Sequence, residues 1–525
     1  MDVKEGEILL NELKDDTETY NISLYENKEL EILKKAIQIA QEKQGKRITK
    51  NPIIKKIISI LEKFISKKGL VCYGGTAINN ILPEKDQFYN KELELPDYDC
   101  FSSNAMDDAV ELADIYFKEG FTDVEAKAGV HFGTYKVYVN FIAIADITQM
   151  EYSLFKNIKK QAIEKNDILY SPPNFLRMAM YLELSRPGGN VERWEKVLKR
   201  LILLNKNYPL KAFTCENDNT IRKNNEEKNH NSLYSESLDY NEIHKIIKNE
   251  AIREKLVFFG SYANMLYSKY LKDSAKTYLS EIPDFDLLSV EPHETAKNIK
   301  NALENEGFKN IKINKKKPIG EYVGEHYEIK ILNKSIAYIY KPIGCYSYNV
   351  VKIGNNFVRV ATIDSMLSFY LIFLYANRPY YDSNRILCMC QYLFEIQQKN
   401  RLKQHGLLRR FSVSCYGVQR TIEDIRNEKA IKFKELKNNR NTRKYKEWFL
   451  RYIPFEKIVL TNKEKKIEKE IPESITPFKP HLSKPLSVRS IHVNKTIRKM
   501  YSNLSKSKKS INGILSSNKT KKHKK

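Results

Sequence analysis

LVCYGGTA, Leu70 to Ala77, followed by LPDYDCFS, Leu95 to Ser102, is the stretch on which the fold turns. The first segment reads as a short apolar strand ending at Tyr73, a tight turn on two glycines, and a helix that opens at Thr76 and runs through Ile81 and Leu82. The second reads as a strand entered through Pro96 and carrying two carboxylates. Side chains at i and i+2 of a strand share a face, so Asp97 and Asp99 project together while Tyr98 points away. Two carboxylates that close repel each other, and a divalent cation ligated by both is the natural compensation.

Working outward, NPIIKKIISILEKFISKKG upstream has apolar residues from Ile53 to Ile65 at three- and four-residue spacing and predicts a helix closed by Gly69. Downstream come a helix from about Ala105 to Glu119 and an alternating run, Tyr135 to Ile147, with Asp146 near its end. On a strand neighbouring the Asp97–Asp99 pair, Asp146 would complete a site for two magnesium or manganese ions bridging a nucleotide's phosphates. The Gly74-Gly75-Thr76 turn suits the other half of the task. Glycine lets the backbone approach closely, N–H groups at a helix start hold phosphate oxygens, and the Thr76 hydroxyl is a further donor. A paired-Asp motif or a Gly-Gly pair alone is common; the information lies in the combination and its order.

The same pattern occurs twice. LVFFGSYA, Leu256 to Ala263, repeats the first anchor, and IPDFDLLS, Ile282 to Ser289, repeats the second. Gly74 and Asp97 are 23 residues apart and Gly260 and Asp284 are 24 apart, and an EGF triplet follows in each copy, at Glu119 and at Glu306. Arg186-Pro187 with Arg193 is matched by Arg378-Pro379 with Arg385. The copies part where Ile144-Ala145-Asp146-Ile147 becomes Ile336-Ala337-Tyr338-Ile339. The second copy has lost a carboxylate, which leaves one working domain and one kept for packing, RNA contact or assembly.

Composition sets the frame. Of 525 residues, 90 are Lys or Arg and 65 are Asp or Glu, for a formal charge of +25. That balance points to a phosphate-bearing partner, RNA or DNA, with a lysine-rich coding bias as the plainer source. With 42% hydrophobic residues, the chain has enough apolar material for about three globular units, which excludes wholesale disorder. No apolar run is long enough to span a bilayer, and MDVKEGEILL does not read as a leader, so neither a membrane anchor nor secretion is expected. Seven scattered cysteines suit free thiols in a reducing compartment, without disulfides. There is no GxxxxGK[ST] loop, HExxH or CxxC, and Cys388-Met389-Cys390 without a second pair is weak evidence for zinc. The expected layout is an N-terminal helical region (1–50), a catalytic domain with helical annex (51–212), and a polar linker (213–240). A degenerate second domain (241–400), a C-terminal helical extension (401–500) and a basic, disordered tail (501–525) follow.

The turn, the paired-Asp strand, the third Asp and the block NFLRMAMYLELSRPGGNVERWEKVLKRL, 174–201, resemble the nucleotidyltransferase superfamily of DNA polymerase beta. Within it they resemble the poly(A) polymerase catalytic subunits of poxviruses and other large cytoplasmic DNA viruses, the mimivirus type above all, over roughly residues 50 to 400. The resemblance implies an α/β (α+β) fold of duplicated nucleotidyltransferase domains, each a small mixed sheet with helices, the second catalytically degenerate. It implies template-independent addition of AMP from ATP to the 3′ end of mRNA. Asp97, Asp99 and Asp146 become the catalytic ligands of two magnesium or manganese ions, and Gly74, Gly75 and Thr76 the nucleotide-binding turn. The implied partners are an RNA 3′ end and ATP, with a homodimer favoured over a separate processivity subunit, and the implied location is the virion and the host cytoplasm. A uridylyl-type RNA nucleotidyltransferase and a non-catalytic RNA-binding scaffold remain open. Selectivity for ATP is not written in any motif; Arg177, Tyr181 and Arg186 are candidates for base contacts, but a structural role is the stronger reading, Tyr181 as core in an apolar helix and Arg186, before Pro187, as a donor to backbone carbonyls.

Overall fold

Residues 22–210, 215, 239–271 and 284–455 are described by the computed structural model. A long helix, α1 (Ile22–Thr49), leads into α2 (Pro52–Lys68). Asn51 caps α2 by accepting from the Ile53 N–H, Pro52 stands where no N–H is needed, and Gly69 ends the helix at φ +60°. Its stripe of Ile54, Ile57, Leu61, Phe64 and Ile65 is buried. The first lobe continues through β1 (Val71–Tyr73), α3 (Gly74–Ile81), β2 (Tyr98–Ser102), α4 (Ala105–Lys118), β3 (Val124–Ala128), β4 (Thr134–Val139) and β5 (Ile142–Gln149). It closes with α5 (Tyr152–Lys160), β6 (Ile163–Lys165), β7 (Ile168–Tyr170), α6 (Pro173–Leu184) and α7 (Trp194–Asn207).

The second lobe runs α8 (Tyr240–Arg253), β8 (Val257–Phe259), α9 (Gly260–Tyr267), β9 (Phe285–Leu288), α10 (Pro292–Asn305), β10 (Ile311–Lys316), β11 (His326–Ile331) and β12 (Lys334–Tyr340). Then come β13 (Tyr346–Ile353), β14 (Asn356–Ala361), α11 (Ile363–Phe373) and α12 (Ser383–Lys399). The last described segment holds β15 (Cys415–Tyr416), α13 (Ile422–Leu436), α14 (Arg443–Phe449) and β16 (Arg451–Tyr452).

The duplication is carried into the sheets. Strand order β3-β4-β5-β2-β1-β7-β6 in the first lobe is matched by β10-β11-β12-β9-β8-β14-β13 in the second. Each pairing keeps its sense: β2 with β5 is parallel, as is β9 with β12, whereas β1 with β2 and β8 with β9 are antiparallel. Even the register shift in β4, at Val137/Tyr138, has its counterpart in β11, at Ile329/Lys330. The fold is therefore the mixed α/β arrangement of two like sheets read from the repeats.

The lobes share one apolar core, in which Phe175 of α6 meets Tyr375 edge-on at 5.6 Å and the Ser347 N–H donates to the Ser185 carbonyl at 2.8 Å. The segment after residue 400, read as helical, also gives each sheet a strand: β15 pairs with β13 and β16 with β3. A bidentate pair of Arg410 with the fully buried Asp364 fastens its start. Its later helices return to the first lobe, where Lys429 donates to the Gly129 carbonyl at 2.5 Å and Trp448 packs on Phe132.

The cysteine expectation needs correcting. Cys215 is bonded to Cys388 and Cys345 to Cys415, with Cα atoms 5.7 and 5.3 Å apart, while Cys72, Cys100 and Cys390 are free and buried. The partners are 173 and 70 residues apart in the chain, so their scatter along the sequence said nothing of their meeting in the fold. Most of the expected linker, residues 216–238, and the basic tail, 501–525, lie outside the described residues.

Candidate active site

The three aspartates meet through strand pairing. β2 lies parallel to β5 with Asp99 opposite Asp146, and Asp97 immediately precedes β2. Tyr98 turns the other way, into the core, and its hydroxyl donates to Glu62 at 2.6 Å. On the far side of Asp99 is Tyr73 of β1, stacked on Phe101 at 3.8 Å and bonded through its hydroxyl to Thr148 at 3.0 Å. Burial, then the charges of Asp97 and Asp146, push the Asp99 carboxyl up to about 7, against the pull of Lys136 and Arg193.

Gly74 is required twice over. Its φ is +73°, and a Cβ there would stand 2.6 Å from Asp99 Oδ2. Gly75 faces a different neighbour: a Cβ there would collide with the Tyr89 hydroxyl and lie 3.0 Å from the Arg200 guanidinium. The loop carrying Phe88 and Tyr89 is held by Asn79, whose side-chain oxygen accepts from both backbone N–H groups at 2.8 and 2.9 Å. Thr76 does not serve as the free donor expected of it. It is buried and its hydroxyl donates to the Asp97 carbonyl at 2.7 Å, so it ties the turn to the aspartate strand.

Two cations at the site were missed in the sequence. Lys136 on β4 lies opposite Asp146 and its ammonium bonds that carboxylate. The alternation of β4, with Tyr135, Val137 and Val139 inward, already sends Lys136 to the carboxylate face. Arg200 of α7 is 9% exposed, lies over the Phe88 ring at 4.8 Å and donates to the Tyr89 hydroxyl at 2.6 Å. It makes no ion pair among the described residues. Nothing in its sequence spacing reveals that α7 folds back onto the turn.

The second lobe answers the same positions differently. Arg385, 4% exposed, donates to Ser261, the counterpart of Gly75, at 2.6 Å and to Asp284, the counterpart of Asp97, at 3.1 Å. Opposite Asp286 stands Tyr338, whose hydroxyl donates to Glu328 at 2.7 Å. By the repeat, the counterpart of Arg385 is Arg193, which pairs with Glu183 at 2.9 Å in the first lobe, while Arg200, beside Gly75, makes no ion pair among the described residues.

The three residues considered for base contacts have structural partners. Arg177 is buried and bonded to Asn174, Asn205 and the Tyr208 carbonyl, and Tyr181 is buried with its hydroxyl on Gln397 at 3.3 Å. Arg186 lies over the Tyr346 ring and donates to its hydroxyl at 3.1 Å.

Asp97, Asp99 and Asp146 have the donor chemistry a divalent cation takes, and burial first, then the charges of the other two, raise the Asp99 carboxyl. As they stand, no group of three or more His, Cys, Asp or Glu among the described residues is gathered closely enough to hold an ion, Asp146 being turned onto Lys136.

Fold and site together give two like sheets, one with three aspartates beside its Gly-Gly turn and one with Tyr338 in place of the third. Residues 59–190, which carry the turn and all three aspartates, match the family described as the poly(A) polymerase catalytic subunit. A poly(A) polymerase catalytic subunit of African swine fever virus (strain Badajoz 1971 Vero-adapted) is 32% identical over 178 residues, 33% of this chain and 36% of its own length. One of Acanthamoeba polyphaga mimivirus is 27% identical over 352 residues, 63% of this chain and 59% of its own. The chain thus spans about a third of the length of the African swine fever virus relatives it matches. The crystal structure of the Megavirus polyadenylate synthase superposes with a TM-score of 0.68, covering 87% of this chain and 92% of that one at 21% identity, which establishes a shared fold.

Proposed function

We propose that this chain is a template-independent poly(A) polymerase, joining the AMP of ATP to the 3′ hydroxyl of RNA as the bond between the α and β phosphates breaks and pyrophosphate leaves. The observation that carries the reading is the register of Asp99 against Asp146, with Asp97 adjoining and the Gly74–Gly75 turn against them, inside the segment that matches the family. Asp97, Asp99 and Asp146 are the residues that would hold two divalent cations, magnesium or manganese. Bound there, such ions supply charge to the triphosphate and acidify the attacking hydroxyl.

The chain's own groups divide the remaining work. Gly74 and Gly75 let the triphosphate lie against the backbone N–H groups at the start of α3. Arg200 receives phosphate oxygens, being a nearly buried guanidinium that forms no direct ion pair among the described residues, though it feels the Glu183 charge, and that is fixed by Phe88 and Tyr89. Lys136 neutralises Asp146 until substrate arrives. Thr76 holds the Asp97 backbone in position.

The test is primer extension with a short unstructured RNA, magnesium or manganese, and each ribonucleotide separately, with Asp97→Ala as control. Extension by ATP alone supports the reading; extension by UTP keeps the site and changes the substrate; none with any nucleotide points to a missing partner subunit or to the RNA-binding scaffold. Self-association into a homodimer, against a need for a separate processivity subunit, belongs to the same proposal and is read by sedimentation together with product length. The matched relatives are proteins of large DNA viruses, and the proposed location is the virion and the host cytoplasm.

A further inference from the structure

Five strands of the first sheet each contribute one side chain to a single line across the face that carries the aspartates. Asp99 of β2 is opposite Asp146 of β5, Asp146 is opposite Lys136 of β4, Lys136 opposite Lys127 of β3, and Lys127 opposite Arg451 of β16. Residues paired across a ladder share a face, and at about 4.8 Å per strand the line runs roughly 19 Å from Asp99 to the sheet edge. Its inner end is carboxylate and its outer three positions are cationic.

The outer cations are within reach of solvent, with the Lys127 side chain 41% and the Arg451 side chain 68% exposed. They share one carboxylate, Glu125, at 3.4 and 3.3 Å, which leaves positive charge over. Beside them Tyr138 offers a half-buried ring, with the Lys127 ammonium 4.1 Å from its centre. The second lobe provides an internal control. There the corresponding line reads Asp286, Tyr338, Glu328, Asn314, with no cation on it and its first three members buried. Its nearby lysines, Lys316 and Lys330, are turned onto Glu328 instead. Among the described residues, the cations are lined up in the lobe that retains three aspartates and not in the other.

We propose that this line seats the 3′-terminal segment of a single-stranded RNA, its backbone phosphates on Arg451, Lys127 and Lys136 and its terminal hydroxyl delivered to Asp146 and Asp99. The proposal rests on the polymerase reading and adds the acceptor's path to it. Arg451 comes from the C-terminal extension, which thereby becomes part of the RNA seat.

The experiment is fluorescence anisotropy of a short labelled oligoadenylate with the full chain, in chelator and without nucleotide, over a series of salt concentrations. Lys127→Gln and Arg451→Gln should each weaken binding several-fold and flatten the log–log salt dependence by about 0.7, and the double variant by about 1.4. Lys245→Gln, on an exposed lysine of α8 in the second lobe, should leave the slope unchanged. Arg451→Lys should restore the slope that Arg451→Gln loses, which separates lost charge from a frayed β16. Unchanged slopes in the Lys127 and Arg451 variants, or an equal loss in Lys245→Gln, overturn the seat while ATP-dependent extension by the wild type leaves the polymerase reading standing. A wild-type chain that neither binds nor extends RNA overturns both.

Discussion

Arg385 and Asp284 form a buried ion pair, guanidinium to carboxylate at 3.1 Å, at the point of the second lobe that corresponds to the turn and first aspartate of the first. At the retained first aspartate a side chain from within the lobe supplies a permanent positive charge. Asp284 thus has a structural partner where its counterpart Asp97 is proposed to hold a cation. Asp284→Ala should leave RNA extension intact per folded molecule yet destabilise the fold by on the order of 3 kcal/mol, because it strips a carboxylate from a buried guanidinium. Urea unfolding read beside specific activity separates the two effects.

Asp97→Ala, Asp99→Ala and Asp146→Ala should each reduce extension to background. In Asp97→Ala and Asp99→Ala the melting temperature should hold or rise, since the carboxyl of Asp99 is raised partly by its acidic neighbours and removing one relieves that crowding. Activity surviving Asp99→Ala would falsify the site assignment.

Arg200→Ala should raise KM for ATP by roughly tenfold to a hundredfold, the worth of charge-assisted bonds to phosphate, with kcat changed far less. Arg200→Lys should recover part of the loss, because it returns the charge without the fork that Phe88 and Tyr89 hold in place. Steady-state kinetics at saturating RNA is the check, and a fall in kcat at constant KM would place Arg200 elsewhere in the mechanism.

Glu328 supplies a pH signature in the second lobe. Burial pushes its carboxyl up, but bonds from Ser335, Tyr338 and Lys316, with the Lys316 charge, outweigh that and bring it to about 2. A carboxyl held below its unfolded value stabilises the fold above that value and loses the contribution as pH falls towards the folded one. The wild type should therefore lose on the order of 2–3 kcal/mol from this group between about pH 4.5 and pH 2. Glu328→Gln should start lower at neutral pH and show a flatter acid limb in thermal melts.

Much of this was legible because it is local. The Gly74–Gly75 turn and the Asp97–Asp99 strand sit within thirty residues of one another, and the repeat at Gly260 and Asp284 made the architecture readable twice. Tyr338 could be matched to Asp146 from the flanking Ile-Ala pattern alone, and the strands bear out that match by pairing each with its aspartate, Asp286 and Asp99. What escaped depends on distant parts of the chain meeting. Arg200 reaches Gly75 only after α7 folds back, Thr76 spends its hydroxyl on a carbonyl that sequence cannot position, and the Cys345–Cys415 link is made by a segment that returns to the second sheet.

β16 lies 326 residues beyond Glu125, its ion-pair partner on β3, measured from Arg451. During synthesis, then, both lobes have left the ribosome while the outer flank of β3 still shows unpaired N–H and C=O groups, the kind of edge on which other chains pair. The first domain to emerge is among the last to be sealed. A chain broken off before Arg451 carries all three aspartates and the whole turn, but leaves bare the stretch of β3 at Ala126 and Lys127 that β16 covers in the finished protein.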